Sequence, residues 1–281
     1  MDFIETLKII VLGLVEGFTE WLPISSTGHL ILVEELIPLN QPQAYIDMFE
    51  VVVQLGAILA VVVLYFHRLN PFDSRKTPRQ RRGTLHLWIK ILIACLPAAV
   101  IGLLADDFLH EHLYNPWVVA TALIIYGVLF IVLERRNAHT KFIITRTGQI
   151  TYQTALLIGC IQLLALIPGT SRSGSTILGA MLIGCSRGVA AEFSFFLGIP
   201  VMFGASFLEI IKYIASDAVF TAPQIFYMIL GMIVAFSVSV CSIKFLMTYI
   251  KQNDFKVFGY YRIILGVIVL IYFGVRTALK I

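Results

Sequence analysis

The sequence predicts an all-α polytopic membrane protein, with six transmembrane helices plus two re-entrant helix hairpins in an inverted-topology repeat. Three observations carry this. The 281 residues are 58% hydrophobic and 14% charged, against about 25% charge in a soluble domain. Six apolar stretches are long enough to cross a hydrocarbon core of ~30 Å. Two short polar motifs, EGFTEWLPISSTGH (Glu16–His29) and PGTSRSG (Pro168–Gly174), break otherwise membrane-grade sequence.

Taken in order, region 4–38 is long but split around Pro23 and the Ser25-Ser26-Thr27-Gly28 run. Each half is too short to span comfortably at 1.5 Å per residue, so the pair reads as a hairpin that descends part-way and returns. Asp2, Glu5 and Lys8 give no basic leader, and no cleavable signal peptide is expected. Spans follow at 48–66, 86–104 and 116–133. Region 151–185 repeats the broken pattern around Pro168-Gly169, and spans at 189–211, 223–248 and 258–279 complete the chain. The whole reads as one integral membrane domain, 1–281, with repeat one over 1–140 and repeat two over 150–281.

The repeat is legible in residues. Gly13-Leu14-Val15-Glu16 matches Gly159-Cys160-Ile161-Gln162, Pro23-Ile24-Ser25-Ser26 matches Pro168-Gly169-Thr170-Ser171, and Glu50 with Gly56 matches Glu192 with Gly198, at offsets of 146, 145 and 142 residues. Three spans per repeat are odd in number, so the second copy is inverted and the hairpin tips meet near the midplane, as in inverted-repeat transporters.

Loops 67–85 and 134–150 are basic, carrying Arg68, Arg75, Lys76, Arg79, Arg81 and Arg82, and Arg135, Arg136, Lys141 and Arg146. Loop 105–115 carries Asp106, Asp107 and Glu111 and neither Lys nor Arg. The positive-inside rule puts the basic loops in the cytoplasm and the acidic one outside; Arg276 and Lys280, at the predicted outer end, run weakly against it. The net charge of +4 comes from these loops and is no nucleic-acid signal. Cys95, Cys160, Cys185 and Cys241 form no CxxC pair and read as buried free thiols.

The motifs have a common chemical theme. A central Arg, Lys or Asp costs roughly 2.5–3.5 kcal/mol on insertion scales, so Glu16, Glu20 and Arg172 demand a protected polar cavity. Glu16 and Glu20, four apart, share a helix face and suit a hard divalent cation, Mg²⁺ or Ca²⁺, or base catalysis. Ser25 or Ser26 caps the helix after Pro23, whose free N–H groups suit an anion. Ser26 and His29 outline a nucleophile and base. In the second motif Ser171, Arg172 and Ser173 open a half-helix, where Arg gives bidentate phosphate recognition. Glu50, Gln54 and Glu192 read as structural, satisfying hairpin backbone groups. Glu34 and Glu35 read as solvated, and His67, Lys212, Lys244 and Arg262 as interfacial anchors.

The two motifs, with FEVVVQLGAILAVV between them and EFSFFLGIP after, resemble undecaprenyl pyrophosphate phosphatases of the bacitracin-resistance type along nearly the whole chain. The resemblance implies an inner-membrane enzyme that removes the terminal phosphate of undecaprenyl pyrophosphate, needs a divalent cation and opens its site to the outer face. It places Glu16, Glu20, Ser26, Thr27, His29, Ser171, Arg172 and Ser173 at site positions.

The expected site therefore has Ser26, His29, Glu20 and Arg172 as catalytic residues, Ser25, Thr27, Ser171, Arg172 and Ser173 around the phosphates, and Glu16 and Glu20 at the metal. Ser26 is the expected nucleophile; His29 as nucleophile or base, and a water activated by Glu20, stay open. The expected partners are a polyprenyl pyrophosphate lipid and the bilayer, with a homodimer allowed and no nucleic acid. A transporter or flippase of a phosphorylated polyprenyl lipid is the rival reading, because broken helices and inverted repeats are transporter architecture.

Overall fold

Proline and glycine set the architecture. In the computed structural model, which describes residues 2–216 and 219–279 apart from the side chains of Asp106, Asp107 and His110, the first apolar region folds as α1 (Phe3–Thr19) and α2 (Ser26–Leu36) with a buried turn between them. Asp2 caps α1 by accepting the Ile4 N–H. Then come α3 (Gln43–Leu64), the one-turn α4 (Phe66–Leu69), α5 (Pro78–Leu113) and α6 (Pro116–Asn137). Thr77 and Gln80 form a reciprocal cap at the start of α5, and Asn115 with Pro116 starts α6.

The second broken region gives α7 (Tyr152–Gln162), a 3₁₀ turn over Leu163–Leu166, and α8 (Arg172–Leu182). The chain ends with α9 (Arg187–Ala215), α10 (Ala222–Tyr249) and α11 (Lys256–Leu279). Among the described residues, six helices are long and apolar enough to cross a membrane, those at Gln43–Leu64, Pro78–Ala105, Pro116–Asn137, Arg187–Ala215, Ala222–Tyr249 and Lys256–Leu279. The protein is thus a helical, multi-pass membrane protein, and each expected span is found. Large apolar side chains such as Leu104, Phe207 and Ile271 stay exposed on these helices, as lipid-facing surfaces require.

Three expectations need correcting. Of the cysteines read as buried thiols only Cys185 is buried; Cys95 is half-buried, and Cys160 and Cys241 lie exposed on apolar helices. Segment 105–115 is not a loop: α5 continues through it to Leu113, because Asp and Glu at the end of an apolar helix do not break the backbone pattern. The side chains of Asp106 and Asp107 lie outside the described residues. Glu34 and Glu35 are not solvated. Both are half-buried; Glu34 meets the carboxyl of Glu50, and Glu35 pairs with Arg276.

Helices α1 and α3 pack on α10, α3 also packs on α9, α5 on α7, α6 on α11, and α8 on α7 and α9. Close approach needs missing side chains: a Cβ on Gly56 would lie 2.1 Å from the Met232 carbonyl oxygen, and one on Gly159 would lie 2.3 Å from that of Ala94. The largest core cluster surrounds the two turns, with Trp21, Phe193, Phe195 and Phe196 buried together. At the end where both basic loops lie, Glu134 accepts two bonds from Arg187 at 2.8 and 2.5 Å and one from the Phe255 N–H at 3.0 Å. Arg68 pairs with Glu192 at 2.5 Å.

Candidate active site

The buried turn after α1 and the turn before α8 face each other. Ser25 and Ser171 hold the same position in them. Each is a non-glycine residue at positive φ, 74° and 70°, a conformation costing of order 1–3 kcal/mol. Each Oγ accepts the N–H three residues on, Gly28 at 3.4 Å and Gly174 at 3.1 Å. The serines thus cap α2 and α8, and the remaining first-turn N–H groups, at the positive helix ends, are the ones that suit an anion.

Glu20 ties the halves together. Its Oε2 accepts from Ser26 Oγ at 3.0 Å, its Oε1 accepts from Arg172 Nη2 at 2.8 Å, and its backbone carbonyl accepts from Ser173 Oγ at 3.0 Å. The second arm of Arg172 donates to the Ser194 carbonyl at 2.6 Å. The guanidinium lies 5.8 Å from the Trp21 ring centroid, and Trp21 is braced edge-on by Phe195. Glu20 and Ser173 are buried, and Arg172 and Ser26 half-buried. A carboxylate on a serine hydroxyl, beside a forked cation and two helix N-termini, can take a proton and stabilise a phosphoryl group.

The other expected residues lie close by in different roles. Ser171 Oγ is 3.1 Å from Ser173 Oγ. Thr27 is half-buried in the first turn of α2. His29 is not bonded to Ser26: its Nδ1 lies 2.7 Å from the Ser25 carbonyl and its Nε2 lies 2.7 Å from the Tyr261 hydroxyl. Glu16 is fully buried, one turn before Glu20, and neither carboxylate oxygen has a hydrogen-bond partner. An unpaired buried carboxylate is costly, so this donor fits a hard cation. Among the described residues no cluster of three or more His, Cys, Asp or Glu makes a cage; a cation here would draw its remaining oxygens from phosphate.

A family model described as Bacitracin resistance protein BacA matches residues 9–268 of this chain. The chain belongs to the BacA family. Its relatives include proteins named undecaprenyl-diphosphatase from Enterococcus faecalis, 58% identical over 97% of this chain and 99% of that protein, and from Desulfitobacterium hafniense, 57% identical over 99% of each. A third, from Limosilactobacillus fermentum, is 56% identical over 96% of this chain and 98% of its own length.

In this BacA-family chain, sequence reasoning misplaced Arg262, Glu50, Gln54 and Glu192 and missed one further residue. Arg262 is not an interfacial anchor. It is fully buried and donates to the carbonyls of Pro23 at 3.2 Å, Gly169 at 2.8 Å and Thr170 at 2.9 Å, over the Tyr126 ring. It bolts the two turns to each other, the backbone-satisfying role expected of Glu50, Gln54 and Glu192. Those three face elsewhere: Glu50 lies beside Glu34, Gln54 donates to the Glu50 carbonyl at 3.4 Å, and Glu192 pairs with Arg68. Gly198 is the missed residue. A Cβ there would lie 2.7 Å from Arg172 Nη2, so its bare backbone makes room for the guanidinium. The EFSFFLGIP segment contains it, but only the fold reveals what it faces.

Proposed function

We propose that this protein hydrolyses undecaprenyl pyrophosphate to undecaprenyl phosphate and inorganic phosphate. The observation that carries the reading is the Ser26–Glu20–Arg172 chain across two helix N-termini, in a family whose relatives bear that enzyme's name. Ser26 Oγ attacks the terminal phosphorus as its proton passes to Glu20 Oε2. The bond to the bridging oxygen breaks and the lipid monophosphate leaves. Water then attacks the phosphoserine, its proton going to His29, while Ser26 Oγ is released and regains its proton from Glu20. Arg172 and the first-turn N–H groups of α2 and α8 hold the phosphate oxygens, with Thr27, Ser171 and Ser173 alongside. Little covalent help is needed beyond positioning and charge. Glu16 and Glu20 would hold Mg²⁺ or Ca²⁺, which when bound neutralises charge on the phosphates.

The finer architecture belongs to this reading. The chain is an inverted repeat with α1–α2 and α7–α8 as re-entrant hairpins. The contacts support this: exchanging α1, α2, α3, α5 and α6 for α7, α8, α9, α10 and α11 carries α1–α10 into α5–α7, α3–α10 into α5–α9, and α2–α11 into α6–α8. The site opens to the outer face of a bacterial inner membrane, where the product returns to carrying cell-wall precursors and its recycling supports bacitracin resistance. A homodimer is compatible with it.

The test is phosphate release from undecaprenyl pyrophosphate by purified protein in detergent, where transport is impossible. Release abolished by EDTA is expected. Arg172→Lys keeps charge but loses the planar fork, and is expected to cut kcat/KM by at least ~10²-fold, about 2.7 kcal/mol. No release by the folded native protein would sink the hydrolase reading; full turnover by Arg172→Lys would remove Arg172 from it.

A further inference from the structure

We propose that Tyr261 is a positioning residue for this reaction: with the Ser25 carbonyl, its hydroxyl fixes His29 as the Nδ1–H tautomer and marks where the attacking water meets Nε2. The proposal rests on the hydrolase reading above, and uses a contact outside the Ser26–Glu20–Arg172 chain.

The tautomer follows from which groups can donate. His29 Nδ1 lies 2.7 Å from the carbonyl oxygen of Ser25, which can only accept, so Nδ1 carries the proton. A neutral imidazole has one N–H, so Nε2 is a lone pair and the Tyr261 hydroxyl, 2.7 Å away, donates to it. The rings are held nearly parallel, with 5.6 Å between centroids and 8° between planes. His29 therefore has both its tautomer and its plane set, as a base must before it works.

Its position gives that base a task. His29 and Tyr261 form the polar wall of a groove of about 400 Å³, otherwise lined chiefly by apolar residues including Leu14, Phe18, Val33 and Val238. An apolar tail fits that groove, while the pyrophosphate belongs to the chain around Glu20. His29, one turn after Ser26 on α2, stands where tail meets head. Glu20 already takes the Ser26 hydroxyl, which leaves Nε2 for the second step. There, water displaces the phenol at Nε2 and attacks phosphorus. Its proton goes to Nε2, the bond from phosphorus to Ser26 Oγ breaks, and that oxygen is reprotonated from Glu20.

The other half of the molecule provides a comparison. Tyr126 on α6 lies beside Ser175 on α8, and Ser175 stands four residues after Ser171 as His29 stands four after Ser25. A helix-borne tyrosine meets the capped half-helix in both places. Only at His29 is its partner a base, so a purely packing role for Tyr261 is the alternative that an experiment must separate.

Tyr261→Phe keeps the ring and loses the hydroxyl. The experiment compares it with the native chain in detergent near pH ~8, where an imidazole is neutral. It records ¹⁵N ring shifts of labelled histidine, assigned with His29→Asn, alongside kcat, KM and melting temperature. Expected are an Nδ1–H signature for native His29, its loss or averaging in Tyr261→Phe, and a fall in kcat of about tenfold with KM and melting temperature near native. A native Nε2–H signature overturns the proposal. So does native kcat in Tyr261→Phe, whatever the tautomer, since the contact is then packing only. The shifts are read without turnover, so a protein that releases no phosphate would sink the hydrolase reading while the His29 geometry is still decided.

Discussion

At the scale of single residues, the site depends on buried charges answering one another through few bonds. Glu20 is satisfied by a serine and an arginine from different halves, whereas Arg262 has backbone carbonyls as its hydrogen-bond partners and the Tyr126 ring beneath it. Arg262→Met removes the donor from Pro23, Gly169 and Thr170 together. A buried unsatisfied polar group costs about 1–3 kcal/mol, so about 3 kcal/mol or more is expected, seen as a lower melting temperature in detergent and a large loss of turnover. Unchanged melting and turnover would mean the carbonyls find other donors and the bolt is dispensable. The contrast explains what could be read from the chain. Glu16, Glu20 and Arg172 were legible because a charge in apolar sequence needs a reason. Arg262 was not, because it sits near the start of a span, where an anchor is the usual reading, and backbone carbonyls leave no mark in the sequence. The His29 contact was equally hidden: its spacing to Ser26 was visible, but its partner Tyr261 is 232 residues away.

At the scale of elements, each half-helix is a short helix forced open by its cap. The strained serines at 25 and 171 end up in register, one residue off the pairing of Ser26 with Ser171 that the repeat in the sequence suggests, and the six spans match because hydropathy alone defines them. The sequence hides the extension of α5 past residue 104, because charged residues mark the usual end of an apolar span while the helical backbone continues. Between elements, the fit of α8 against α9 depends on Gly198. Gly198→Ala places a methyl 2.7–2.8 Å from the Arg172 guanidinium, a distance at which something must move. The mobile end is the arginine, so the fold should survive while Arg172 leaves Glu20. A fall in kcat/KM approaching that of Arg172→Lys, about 10²-fold, is expected with native melting. Gly204→Ala, on the same helix, has nothing within 4 Å of the new Cβ and should be silent. Equal behaviour of the two variants would mean that Gly198 does not position Arg172.

At the scale of the whole molecule, the arrangement implies a direction across the membrane, and α5 is the element that exposes it. It runs 36 residues, about 54 Å at 1.5 Å per residue, well beyond a hydrocarbon core of ~30 Å. Ser74, four residues before α5, and Glu111, in its last turn, therefore belong to opposite surfaces. Both are exposed. Arg75, Arg79, Arg81 and Arg82 surround the first end, as the positive-inside rule requires of the cytoplasmic side. The apparent exception at the far end of α11 is softened, since Arg276 is paired with Glu35 on α2. In the proposed inverted repeat the two half-helices descend from opposite sides, so this polarity would decide which face admits water and lipid head groups to Ser26. With Cys95, Cys160, Cys185 and Cys241 replaced by serine or alanine, Glu111→Cys in intact cells should react with an impermeant thiol reagent and Ser74→Cys should react only after lysis. The reverse pattern would invert the molecule in the membrane and turn its site toward the cytoplasm. Reaction of both in intact cells would mean that α5 does not cross at all.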